Sequence, residues 1–185
     1  MDKQKELNKI ATEIEKCREC RKDKTGIAVV GEGSPNSKIM FIGEAPGKTE
    51  AATGRPFVGR SGKFLRSNIA AIGLGEVSVY ITSPVKYLPI YKTPTDNDIA
   101  HGMTHLSKQI KIIKPKILVL MGAVAIKGVL GRALKINETH GNVIKEGNQS
   151  FFISYHPAAA IRFLKIRGIF IEDFVKLKKY LDSIS

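Results

Sequence analysis

The sequence predicts an α/β sandwich around a mostly parallel sheet. Four short apolar runs of strand length alternate with segments of helical periodicity, and no linker, repeat or low-complexity stretch divides the 185 residues. A chain of this length forms one domain with a real core. A third observation concerns the strand ends. Three apolar runs stop at Gly43, Ser83 and Gly122, and the fourth, Phe151 to Ser154, stops just before Tyr155-His156-Pro157. In sheets of this kind, sites lie beyond the carboxyl ends of the strands.

Residues 3 to 16 carry Leu7, Ile10 and Ile14 on one side and predict an amphipathic helix. Cys17 to Ser37 reads as a polar loop with short apolar stretches. Ile39-Met40-Phe41-Ile42 is a buried strand feeding a Gly/Pro loop. Ser61 to Ile72 has helical character and stops at Gly73 and Gly75. Val77 to Thr82 is the second strand, and residues 83 to 94 form a proline-containing loop. Thr95 is a good N-cap for a helix over Asp96 to Ile113. Ile117 to Met121 is the third strand, followed by Gly122 and a helix over Ala123 to Leu130. Residues 142 to 146 and 150 to 154 form a strand or hairpin around Gly147-Asn148. Phe170 to Ile184 is the final helix, with Phe174, Leu177 and Leu181 on one face.

Hydrophobic residues make up 43% and charged residues 25%, as in soluble globular proteins. The charge balance is less ordinary: 30 Lys and Arg against 17 Asp and Glu, a formal net charge of +13. Such an excess points to a polyanionic partner, nucleic acid first, with a lysine-rich solubilising surface as the bland alternative. No apolar run is long enough to span a membrane, and Met1 to Lys16 has no apolar signal-peptide core, so a cytoplasmic protein is expected. The two cysteines, Cys17 and Cys20, read as a metal site or cluster remnant rather than a disulfide in a reducing compartment.

Gly43-Glu44-Ala45-Pro46-Gly47-Lys48-Thr49 invites a phosphate-loop reading, but Ile42 stands where the first glycine belongs and Pro46 interrupts the loop. A nucleotide-binding enzyme therefore ranks last. Gly54-Arg55-Pro56-Phe57-Val58-Gly59-Arg60-Ser61-Gly62 combines three glycines, two arginines and an aromatic. Singly, Phe57 reads as core, and Arg55 and Arg60 as solvated surface. Together they suggest a loop that lets backbone approach a ligand, stacks a ring on it and holds phosphates nearby. His156, at a strand end opposite a glycine-rich loop, is a better site candidate than a lone histidine.

These three segments resemble the family 4 uracil-DNA glycosylases, the iron–sulfur branch of their superfamily, in motif, order and spacing from the Cys17 region to about Arg167. The resemblance implies a three-layer sandwich around a mostly parallel four-stranded sheet. It implies a base-excision repair enzyme that flips uracil out of DNA and hydrolyses its N-glycosidic bond, leaving an abasic site. Glu44 and His156 would be catalytic: His156 donating to a uracil oxygen, Glu44 orienting water or stabilising the sugar cation. Gly43, Ala45, Gly47, Phe57 and Ser83 would bind the base. Arg55, Arg60, Ile161 and Arg162 would bind DNA, with Ala158 to Arg162 as a minor-groove loop and Ile161 as an apolar wedge. Uracil-containing DNA is the expected partner, and a monomer the expected state. A sliding clamp suits a repair enzyme, although no docking motif stands out.

Two departures from the family pattern matter. The family holds a structural [4Fe–4S] cluster on four cysteines, and the chemistry itself needs no cofactor. Here Cys17-Arg18-Glu19-Cys20 matches the first pair, but Tyr87 stands near the third position and Gly102 near the fourth. His101 and His105, four apart beside the lost fourth position, make a Cys₂His₂ zinc site one alternative. A metal-free pair and an alternatively ligated cluster are the others. Ser83 occupies the place of an asparagine that contacts the uracil edge, and a hydroxyl cannot make that two-pronged contact. Three activities therefore stay open: uracil excision, excision of another deaminated base such as hypoxanthine, and lesion binding without catalysis.

Overall fold

The computed structural model describes residues 2–184. In chain order the elements are α1 (Lys3–Lys16), α2 (Arg18–Arg21), β1 (Lys24–Thr25), β2 (Glu32–Gly33), β3 (Ile39–Ile42), α3 (Lys48–Thr53) and α4 (Arg60–Ala71). There follow β4 (Val79–Thr82), β5 (Leu88–Pro89), α5 (Asp96–Ile113), β6 (Ile117–Met121), α6 (Ala123–Leu130) and α7 (Ile136–Thr139). The chain continues through β7 (Val143–Glu146), β8 (Gln149–Ser154), α8 (Pro157–Arg162) and α9 (Leu164–Ser183).

Among the described residues the main sheet has six strands in the order β2-β4-β3-β6-β8-β7. A mostly parallel sheet is expected with four strands; β4, β3, β6 and β8 are parallel, and the short antiparallel edges β2 and β7 enlarge it to six. Every residue of β3, β4 and β6 is buried, because helices cover both faces of the sheet. Strand alternation sorts the side chains into two cores. Phe41, Ile81, Val119 and Phe152 face Leu65 and Ile69 of α4 and Phe170, Phe174 and Leu177 of α9. Met40, Ile42, Leu118 and Ile153 face Leu7 of α1, Leu106 and Ile113 of α5 and Ile126 of α6. A smaller cluster of Ile10, Ile14, Cys20, Ala28 and Tyr87 ties α1 and α2 to the loop before α5. Among the described residues no helix is long and apolar enough to cross a membrane.

Local chemistry explains most boundaries. Thr95 caps α5 in a reciprocal capping box with Asp98. Four expectations need correction. Ala158 to Arg162 is helix α8 rather than a loop: His156 is its N-cap, Pro157 fills the first position and three alanines follow. Helix α9 starts at Leu164, six residues before Phe170, because the packing of Ile166 and Phe170 into the core shared with α4, α8 and the sheet outweighs Gly168 in its first turns. The second strand starts at Val79, since residues 76–78 form a 3₁₀ turn that leaves Val77 85% exposed. The stretch from Cys17 to Ser37 also holds α2, β1 and β2.

The chain runs from β3 to β4 on one side and then, through α5, to β6 on the other. That reversal opens a crevice at the carboxyl ends of the strands, where the loops after β3, β4 and β8 converge.

Candidate active site

The loop after β3 is shaped around one aromatic ring. Phe57 has a left-handed backbone, φ +53°, which costs a bulky residue free energy and needs support. Arg66 of α4 supplies it: its Nε donates to Phe57 O at 2.9 Å and its terminal nitrogen donates to Pro56 O at 2.9 Å. Glu50 of α3 pins the other side, accepting from the backbone N–H groups of Val58 at 2.9 Å and Gly59 at 2.7 Å. The ring then lies over Gly43, where a Cβ would come within 2.4 Å of Phe57 Cζ. A Cβ on Gly62 would lie 2.1 Å from the Phe57 carbonyl carbon. Glu50 and Arg66 are functional residues that sequence reasoning missed. Each looks like ordinary surface charge in its segment, and only the fold brings them to the loop.

His156 follows β8 and caps α8. Its Nδ1 accepts from Ala158 N–H at 3.2 Å, so the neutral ring carries its hydrogen on Nε2. That Nε2 is buried and has no hydrogen-bond partner among the described residues. Desolvation lowers the imidazole to about 4, so the ring is neutral at physiological pH. Its centroid lies 6.1 Å from that of Phe57.

Both rings line a cavity of about 570 Å³, together with Glu44, Ala45, Gly47 and Ser83 among others. Sequence-predicted catalytic and base-contacting residues thus meet at one place, with buried Gly43 beneath Phe57. Burial raises the Glu44 carboxyl above the usual carboxylate value. Ser83 is buried, and its hydroxyl donates to Val85 O at 2.9 Å, which spends its hydrogen. A second cavity of about 360 Å³, by Ile39, Leu74 and Leu181, opens at the far end of the sheet and holds no histidine or cysteine.

The predicted DNA contacts are less uniform. Lys48 and Lys92 line the cavity, and Arg60 and Arg162 are exposed. Arg55 is engaged instead by Glu32 through two hydrogen bonds of 2.8 and 2.7 Å, and Arg66 reaches the same carboxylate at 3.2 Å. These guanidiniums, Arg55 first, hold the Glu32 carboxyl below its usual range. Ile161 is half-buried, whereas Phe163 and Leu164 at the α8–α9 junction are 50% and 84% exposed.

The cysteine corner lies where α2 meets α5. One ligand atom from each of Cys17, Cys20, His101 and His105 lies within 4.8 Å of the other three, so the group can hold a metal. Cys17 Sγ is 3.2 Å from His101 Nε2. Burial pushes the Cys20 thiol up to about 12. Buried Lys86 nearby, held down to about 7 by desolvation, donates to Thr82 Oγ1 and Gln109 Oε1 at 2.8 and 2.9 Å.

The residues do not fit a four-thiolate cluster. The chain has only two cysteines. Tyr87 is 1% exposed and committed to the core, its hydroxyl accepting from Arg21 Nε at 3.1 Å. A Cβ on Gly102 would lie 2.3 Å from Pro84 O, so no larger side chain enters there without backbone movement.

The model of the uracil DNA glycosylase superfamily matches residues 30–178. A type-4 uracil-DNA glycosylase of Sulfurisphaera tokodaii is 38% identical over 188 residues, covering 94% of this chain and 84% of that protein. A type-4 enzyme of Thermotoga maritima is 36% identical over 95% of both chains. One of Archaeoglobus fulgidus is 34% identical, covering 92% and 91%. The β3 loop with Phe57 over Gly43, and the neutral His156 facing it, are therefore features of a chain that belongs to the uracil-DNA glycosylase superfamily and, within it, to the type-4 family.

Proposed function

We propose that this protein excises uracil from DNA by hydrolysing the N-glycosidic bond and leaves an abasic site, as the names of its type-4 relatives suggest. One observation carries the reading: a neutral, half-buried His156 whose buried Nε2–H has no protein partner among the described residues and lies beside a cavity walled by Phe57. A cavity of about 570 Å³ accommodates a flipped nucleotide. Phe57 offers a stacking face. As the glycosidic bond lengthens, negative charge gathers on the base, and a preorganised neutral donor stabilises it without reorganisation. Glu44, ionised, orients the attacking water or stabilises the sugar cation.

Ser83 has its hydrogen engaged by Val85, so it can only accept from a base edge. Both uracil and hypoxanthine offer a ring N–H there, which supports tolerance toward hypoxanthine alongside uracil. Arg60, Arg162, Lys48 and Lys92 supply phosphate contacts, and exposed Leu164 is better placed than Ile161 to act as the wedge. The Cys/His corner has no part in the chemistry.

The test is a panel of end-labelled oligonucleotides carrying uracil, hypoxanthine or cytosine, single- and double-stranded, cleaved with alkali after incubation. Wild type should release uracil, and His156→Ala should be slower by about 10²–10³-fold. Equal, background-level release from both proteins would leave a lesion-binding protein without catalysis.

A further inference from the structure

We propose that Cys17, Cys20, His101 and His105 form a closed, four-coordinate zinc site in place of the iron–sulfur cluster that the family implies. The sequence pattern is Cys-x₂-Cys followed by His-x₃-His, which is the ligand spacing of Cys₂His₂ zinc sites. The two cysteines flank the start of α2, and the two histidines sit one turn apart on α5, so both pairs present their ligands from one face.

The distances select a single ion. Tetrahedral zinc with ordinary Zn–S and Zn–N bonds sets its ligand atoms about 3.3–3.8 Å apart. The four atoms here lie within 4.8 Å of one another, and Cys17 Sγ and His101 Nε2 are already 3.2 Å apart. A two-iron centre with cysteines on one iron and histidines on the other would hold sulfur and nitrogen on different metals and farther apart. Zinc also supplies a partner for one of two unpartnered nitrogens in the core. Both ring nitrogens of His105 are buried without a hydrogen-bond partner among the described residues, and the residue is only 7% exposed. Buried polar atoms without partners are rare, and a metal ion supplies one. Two thiolates balance the charge of Zn²⁺, so the closed site is neutral.

Its role is structural. Zinc with four protein ligands leaves no position open for water or substrate. The ion would staple α2 to α5. Strand β1 follows α2 directly and pairs with β5, and Thr25, Leu88 and Pro89 of these strands wall the active-site cavity. Zinc thus holds a wall of the cavity without entering the reaction, and the proposal does not depend on the glycosylase reading.

The full chain, expressed with zinc and iron both supplied and purified without chelator, is analysed for metal and acid-labile sulfide. The expected result is about one zinc per chain with no sulfide. Replacement by Co²⁺ should give thiolate charge-transfer bands and the d–d spectrum of a tetrahedral ion. Cys17→Ser and His105→Gln should each lower zinc occupancy several-fold, and circular dichroism identifies any variant that fails to fold. Protein that neither retains nor takes up Zn²⁺ or Co²⁺ overturns the proposal. So does iron with labile sulfide in equal amounts, or full zinc content in the folded Cys17→Ser/His105→Gln double variant. None of these readouts involves DNA.

Discussion

His156 titrates far below neutrality, so base excision should not respond to histidine protonation across the physiological range. Burial lowers its imidazole from 6.5 to about 4. Each pKa unit corresponds to about 1.4 kcal/mol, so the folded protein favours the neutral ring by about 3 kcal/mol more than the unfolded chain does. Because the folded value lies below the unfolded one, this contribution is fully present above pH 6.5. It is lost as pH falls from 6.5 towards about 4. Two measurements follow. In single-turnover excision against pH, the rate should show no inflection near 6.5. It should have one acid limb where Glu44 takes up its proton, above the ordinary carboxylate value because burial raises it. In urea unfolding at about pH 7 and about pH 4.5, wild type should lose about 2–3 kcal/mol more than His156→Gln, which has no imidazole to charge. A rate that falls as pH rises through about 6.5 would mean a cationic histidine donor and would refute the reasoning. Identical pH dependence of stability in the two proteins would refute the burial argument.

Glu50→Ala removes the carboxylate that accepts from Val58 and Gly59. It should cost about 1–3 kcal/mol in thermal or urea unfolding, with weaker substrate binding as the Phe57 loop loosens. Arg60→Ala should lower the salt slope of DNA binding by about 1, whereas Arg55→Ala, whose guanidinium is engaged by Glu32, should lower it less; titration at several salt concentrations reads both. Leu164→Ala, at an 84% exposed position, should leave stability within about 0.5 kcal/mol. It should slow excision from duplex more than from single-stranded DNA, because only the duplex needs a wedge. Equal slowing on both substrates would move the wedge elsewhere.

Much of the fold was legible because its signals are local. The apolar runs at Ile39–Ile42 and Ile117–Met121 are buried on both faces and read as strands without ambiguity. Thr95 and Asp98 mark the start of α5 through backbone hydrogen bonds made within one turn. Helix α8 also has local signals, the His156 cap, Pro157 and the alanine run, in a segment whose family resemblance implies a DNA-probing loop. The early start of α9 was hidden for a different reason. Gly168 lowers helix propensity there, and the compensating contacts of Ile166 and Phe170 come from a core assembled from distant segments.

By itself the sequence determined the alternation of strands and helices, the four parallel strands, the glycine-rich loop with Phe57 and the histidine after the last strand. Each depends on residue type and on spacing along the chain. Only the tertiary structure decided which charges serve the site. Glu50 and Arg66 are far from obvious in their own segments, yet they hold Phe57 in place, while Arg55 is engaged by Glu32. It also decided that Nε2 of His156 stays buried and without a partner among the described residues, and that two histidines of α5 close on Cys17 and Cys20 at α2. Burial, pairing and pKa depend on what surrounds a group in three dimensions, and residues far apart in the chain supply those surroundings.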